Sequence, residues 1–308
     1  MKLESVLKTS LDELRMQMLG SQVLFGFQFQ GLFQDNFEAL PVSGKTADAV
    51  ALALMILVLG LIVAVPCQHR IVDQGESTLR ILRVSSRCAN LALGPLAAAV
   101  ACDIYVATVH TVGATRSIAL ALGAFTLAVG AWYGLGAAMR PALNTHRGLA
   151  PMQQTPTPLH AKIEQLLTEA RVILPGAQAL LGFQLIVMMT QAFDRLPTGV
   201  RAIHVAALLS LVIAVVLLIA PAAIHRIAFQ GRDDTKLLGP GSLIITLALL
   251  PLAASICCDL WVALYKLAGN DALSTVGALV TASILLGLWF VLPLGIRGTT
   301  RATRARRE

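Results

Sequence analysis

The sequence predicts an all-α integral membrane protein: eight transmembrane helices, arranged as two parallel four-helix repeats related by a pseudo-two-fold axis along the membrane normal. Three observations predict it. The chain of 308 residues is 56% apolar and only 13% charged, with a mean hydropathy of +0.74, whereas a soluble domain is about a quarter charged. Apolar runs of the ~20 residues needed to cross a bilayer recur along it. The chain also repeats itself at one fixed offset, a test to apply before any finer reading.

The clearest apolar runs are residues 47–65, 89–109, 118–139, 202–224, 243–264 and 272–294. Two weaker ones, 16–33 and 172–193, are apolar but studded with glutamine, and they bring the expected spans to eight. The N-terminal "MKLESVLKTSLDELRMQ" is a mixed-charge amphipathic lead without a signal-peptide pattern.

Leu11 to Gly113 aligns without a gap on Leu167 to Gly269, 156 residues later. The matches include Glu13 with Glu169, Gly26-Phe27-Gln28 with Gly182-Phe183-Gln184, His69-Arg70 with His225-Arg226, and Cys102-Asp103 with Cys258-Asp259. Leucines and alanines match by chance in any two membrane helices; polar pairs at a single offset do not. Four spans per repeat send both halves into the membrane in the same direction, the parallel-repeat arrangement. The expected units are a first repeat over 1–140, a cytoplasmic linker over 141–161, a second repeat over 162–298 and a basic tail over 299–308. The Pro, Gln and Thr content of the linker reads as a flexible tether.

Charge placement orients the chain. Arg70, Arg80, Arg83 and Arg87 follow the second span, Arg226, Arg232 and Lys236 the sixth, and the tail is "RGTTRATRARRE". The connections around 35–48, 110–116, 194–201 and 266–271 carry few basic residues. By the positive-inside rule both termini are expected in the cytoplasm. The net charge of +7 is therefore assigned to topology, not to nucleic acid.

On the segments "LPGAQALLGFQL" and "LIAPAAIHR", the second half resembles a family of short, uncharacterised four-span membrane proteins of actinobacteria. Those share an "ELRVxLPGxQxLFAF" opening and an "LLIAPxAxHR" end to the second span. The first half departs from the pattern, with "QMLGSQVLFGF" lacking the Pro after Leu and "VAVPCQHR" shifting its Pro by one. The resemblance implies a tandem duplication of a single-repeat protein. Some members carry a sodium:proton antiporter label, and the family's source implies a bacterial inner membrane.

Asp103 in "VACDIYVA" and Asp259 in "ICCDLWVA" are the leading candidates for chemistry. An acid at the bilayer centre costs on the order of 3 kcal/mol, and such residues usually face a cavity or a partner. Two readings stand side by side. In one, Asp103 and Asp259, with Gln28, Gln184, Cys102 and Cys258, form proton or cation sites. In the other, the same groups only hydrogen-bond neighbouring helices together.

Glu13, Gly20, Leu24, Gln28 and Asp35 fall near one face of the first span, and Glu169, Gly176, Leu180, Gln184 and Gln191 near one face of the fifth. Such stripes face other helices or water, not lipid. His69-Arg70 and His225-Arg226 read as cytoplasmic boundary residues, where cations at a helix C-terminus meet its dipole. Trp132, Tyr133, Trp289 and Phe290 read as interface anchors.

No enzyme, metal or cofactor signature is present in the sequence. The preferred function is a proton-coupled small-cation carrier. A non-catalytic membrane scaffold and an ion channel are the alternatives. The expected partners are the bilayer, protons and a small cation, with homo-oligomerisation open.

Overall fold

Polar punctuation cuts the apolar chain into eight long helices. In the computed structural model, which describes residues 3–135, 137–138 and 156–305, these are α1 (Leu3–Gly31), α2 (Val42–Ile71), α3 (Leu79–Val112), α4 (Ala114–Val129), α5 (Leu159–Val187), α6 (Thr198–Ile227), α7 (Leu238–Ala268) and α8 (Asp271–Leu286). α4 runs on through a π turn at Gly130–Gly134, and α8 through one at Gly287–Val291 and a last stretch, Leu292–Ala305. The expected linker lies outside the described residues over 141–155, as do residues 306–308 of the tail. Helices α2 to α8 are long and apolar enough to cross a membrane; α1 is as long, but its composition leaves it outside that set.

Equivalent helices stop for equivalent reasons. After α2 and α6 the chain enters the left-handed region at Gln74-Gly75 and Gln230-Gly231. There the amides of Gly75 and Gly231 donate to the carbonyls of His69 and His225 at 3.2 and 3.0 Å, pairing carbonyls that a helix end would otherwise leave free. Gly113 (φ 84°) and Gly269 (φ 61°) make the sharp turns into α4 and α8, a conformation glycine adopts at little cost.

The halves meet along α1 and α5. On α1, Leu7, Leu11, Leu14, Met18, Phe25 and Phe29 are buried, and on α5 so are Ile163, Leu166, Ala170, Ile173, Ala177 and Leu180. Steps of three and four keep each row on one face, the seam of a coiled coil. Contacts between equivalent positions show that the two helices run in the same direction. Lys8 Nζ lies 2.5 Å from Glu164 Oε1 near one end, and the Phe27 and Phe183 rings lie 4.6 Å apart near the other. A Cβ on Gly26 would fall 2.0 Å from the Phe183 ring, and one on Gly176 would fall 1.2 Å from Gln22 Oε1.

Beyond this seam the packing is one-sided. α2 is covered by α7 and α8 of the other half, whereas its counterpart α6 leaves Val212, Ile213, Val216 and Ile219 exposed. Gly60 of α2 lies beneath Leu285 and Leu288, and its carbonyl accepts a 3.0 Å hydrogen bond from Trp289 Nε1; the equivalent residue, Val216, is 60% exposed. Trp289, expected at a membrane interface, is instead fully buried, because its N–H finds this partner inside the protein. Its counterpart Tyr133 stays partly exposed and bonds the Asn90 carbonyl at 2.5 Å.

Polar contacts fasten both ends. At the end bearing the described termini, Glu169 of α5 is buried between His69 and Arg70 of α2, with Arg70 Nη2 2.5 Å from Glu169 Oε2. Arg70 also donates to the Leu166 carbonyl at 3.1 Å. His69 and Arg70, read as boundary residues at the end of α2, thus also fasten the halves, while Arg226 and Glu13 of the equivalent set are exposed. Nearby, Thr157 and Lys162 dock on Glu76, the amide of Thr157 donating at 3.1 Å. Burial pushes the Glu76 carboxyl up, but the Lys162 and Thr157 hydrogen bonds outweigh it and hold it below its ordinary range. At the opposite end Lys266 pairs with Glu38 at 2.7 Å, and that bond and charge draw the Glu38 carboxyl down.

Two stability predictions follow, both for chemical or thermal unfolding of the purified protein in detergent. Gly26→Ala or Gly176→Ala should destabilise by about 1–3 kcal/mol through overpacking. The equivalents Gly182→Ala and Gly20→Ala, which meet nothing within 4 Å, should be neutral or stabilising by up to ~1 kcal/mol. Equal effects at all four positions would refute the asymmetric seam. Glu169→Gln should cost about 3–5 kcal/mol by leaving Arg70 buried and unpaired, whereas Glu13→Gln should stay within ~0.5 kcal/mol.

Candidate functional site

Helices α1, α2 and α3 converge towards the end opposite the described termini, and there each sends one polar side chain inward. Gln28 of α1 donates its Nε2 to both carboxyl oxygens of Asp103 on α3, at 3.0 Å each. Asp48 of α2 joins them in lining a cavity of about 490 Å³ with Phe37, Asn36 and His110. Asn36 and His110 are exposed, so the cavity reaches the loop end of the helices. Asp48 itself is 4% exposed, and its Oδ2, like Gln28 Oε1, is buried without a hydrogen-bond partner. Two acids and an amide oxygen with spare lone pairs thus meet in one pocket. That is a donor set for a proton or a cation, because every free atom in it is an acceptor.

The second half builds the same triangle from the same positions and closes it. Gln184 of α5 donates to Asp259 Oδ2 of α7 at 2.5 Å and to Ser255 Oγ at 2.9 Å. The place of Asp48 is taken by His204 of α6, whose Nε2 lies 3.1 Å from the Gln184 carbonyl and whose Nδ1 lies 3.7 Å from Asp259 Oδ1. Gln184, His204, Ser255 and Asp259 are all fully buried. Phe29 of α1 stacks on the imidazole at 5.7 Å, and Phe193 meets it edge-on at 5.2 Å.

The structure therefore brings Gln28 to Asp103 and Gln184 to Asp259, and neither cysteine lines the cavity. Cys102 lines an apolar pocket of about 410 Å³ between α3 and α4, with Tyr105 and Phe125; Cys258 is half-buried. The aromatic neighbours point to hydroxyls instead: Tyr105 donates to Ser43 at 2.9 Å and Trp261 to Thr275 at 3.1 Å. Among the described residues, no three His, Cys, Asp or Glu side chains gather as a metal-holding group.

The polar stripes hold only in part. Glu169, Gly176, Leu180 and Gln184 are buried and Gln191 is exposed; on α1 Gln28 is buried while Glu13 and Gly20 are exposed, as is Asp35 beyond its end. Asp48 and His204 are the site residues that pattern reading passed over, Asp48 because it closes a loop-like polar stretch. A signal was present, since the two stand at the repeat offset inside otherwise apolar second spans.

Comparison with curated proteins and with solved structures returns no match. A family profile described as "Family of unknown function (DUF6328)" matches twice in tandem, over residues 2–136 and 157–293. The two matches cover most of the chain and fall on the two four-helix halves: the protein belongs to the DUF6328 family, as a tandem duplication of its unit.

Proposed function

We propose that this is an inner-membrane transport protein of a bacterium, coupling protons to a small cation at the Asp48–Asp103–Gln28 site. One observation carries the reading: two acids share a cavity that reaches the loop end, and one of them is buried with an unpartnered oxygen. A buried charge needs a partner. The buried atoms left unpartnered there, Asp48 Oδ2 and Gln28 Oε1, are both acceptors, which favours a proton or a cation as that partner.

The same reading sets the chain in the membrane. α1 has 29 residues, about 44 Å of helix at 1.5 Å per residue, enough to cross a ~30 Å hydrocarbon core as an eighth span shielded by α5. The same-direction contacts of α1 with α5 support repeats related by an axis along the membrane normal, with units at 1–140 and 162–298. Arg70, Arg80, Arg83, Arg226, Arg232 and Lys236 at the terminal end support cytoplasmic termini. The reading is non-enzymatic and needs no cofactor.

A scaffold role is the second reading, and the second half favours it: Gln184, Ser255, His204 and Asp259 form a dry interhelical network, of the kind worth about 0.6–2 kcal/mol per bond in membranes. An ion channel would use the first-half cavity without alternating access.

The test is flux in proteoliposomes carrying a pH-sensitive dye, with Na⁺, K⁺ or Ca²⁺ gradients imposed in turn. Asp103→Asn and Asp48→Asn should each lower cation-driven proton movement by ~10-fold or more, the size expected when a charged group's bond of about 1.5–3 kcal/mol is lost. Flux in the double variant equal to wild type, with the fold intact, would leave only the scaffold.

A further inference from the structure

The duplicated sites differ at one corner of the triangle. In each half a glutamine of the first helix donates to an aspartate of the third, Gln28 to Asp103 and Gln184 to Asp259. The corner on the second helix is an acid in the first half and a base in the second, Asp48 and His204, at equivalent positions. A second difference accompanies it, since Ser255, which accepts from Gln184, stands where the first half has Ala99. The acid borders a cavity; the histidine sits in a sealed interior.

The hydrogen bonds of His204 define its protons. The Gln184 carbonyl can only accept, so His204 Nε2 carries a hydrogen and donates across the 3.1 Å contact. Nδ1 then faces Asp259 Oδ1 at 3.7 Å, and neither atom has another partner. Two lone pairs facing each other in a dry site would repel, which favours a hydrogen on Nδ1. Asp259 then has one hydrogen bond, from Gln184 Nε2 to Oδ2, and one ion-pair contact, from the ring to Oδ1. The ring's aromatic neighbours suit a cation as well. Phe29 and Phe193 place their centroids 5.7 and 5.2 Å from it, within the ~6 Å at which a phenyl ring attracts a positive charge. Of these two, Phe193 matches Phe37 at the repeat offset, and Phe37 lines the first-half cavity.

We propose that the His204 imidazolium is a built-in cation. It occupies, in the second half, the place at which the first half takes up an exogenous small cation, so the duplicated chain has one exchangeable site where its symmetry offers two. This deepens the transport reading and rests on it: Asp259 is a retired copy of Asp103, neutralised from within. The groups facing His204 are the Gln184 carbonyl from α5, Asp259 from α7, Phe29 from α1 and Phe193 from the loop before α6.

The experiment is equilibrium titration of the purified full chain in lipid nanodiscs with Na⁺, K⁺ and Ca²⁺ separately. Wild type should bind close to one ion of the preferred kind per chain, Asp48→Asn none, and His204→Asp, which restores the first-half corner, close to two. A folded His204→Asp protein that still binds one ion would overturn the built-in cation and leave the first-half site standing. No binding by wild type, or unchanged binding in Asp48→Asn, would overturn the first-half site and the inference with it. Should His204→Asp fail to fold, ¹⁵N-histidine spectra of the wild-type protein at neutral pH decide, with His204 identified by the signal lost in His204→Gln. A doubly protonated ring that becomes the neutral Nε2–H form in Asp259→Asn supports the proposal. A neutral ring in wild type sinks it.

Discussion

The closeness of α1 to α5 is the constraint on which the rest of the structure depends. Lipid offers apolar side chains nothing less favourable than a helix surface does, so membrane helices associate through close packing, helped by small residues. Gly26 beneath the Phe183 ring and Gly176 beneath Gln22 provide that closeness. Each half contributes one of the two glycines, and their repeat equivalents face open space. The crossing is therefore built from a duplicated sequence without itself being symmetric. By bringing the two helices together in one direction, it also sets Gln28 and Gln184 each against the third helix of its own half.

Duplication freed the halves to diverge, and the differences fall in a pattern. α2 is covered by α7 and α8, whereas α6 keeps an exposed apolar face. Gly60 against Val216, Trp289 against Tyr133 and Glu169 against Glu13 each show one copy drawn into the protein and the other left outside. A single close contact distinguishes the two sides: Trp289 bonds the Gly60 carbonyl, and a side chain at that position of α2 would press on Leu288 and Leu285, 3.3 and 3.4 Å from an added Cβ.

The polar triangles obey the same logic in electrostatic terms. A buried carboxylate is tolerated where charge and hydrogen bonds compensate it. In the second half His204, Gln184 and Ser255 close around Asp259 and its surroundings, leaving no space. In the first half Gln28 alone bonds Asp103 among the described residues, and Asp48 adds a second acid beside the cavity. Openness and a second acid therefore occur together.

Seven membrane-length apolar helices and the repeat were legible in the sequence because they are written locally. Apolar runs and a fixed offset need no knowledge of neighbours. The pairing of Gln28 with Asp103, and of Gln184 with Asp259, was legible only as a shared set of candidates, since residues 75 positions apart reveal contact only once the helices are packed. Tertiary structure alone decided that Asp48 belongs to the site, that His69 and Arg70 serve Glu169 across the halves, and that Cys102 faces elsewhere. The reason is geometric. Helical periodicity tells which residues share a face, but two equal sequences present equal faces, and only packing chooses which copy is covered, which is exposed, and which acid is left facing a cavity.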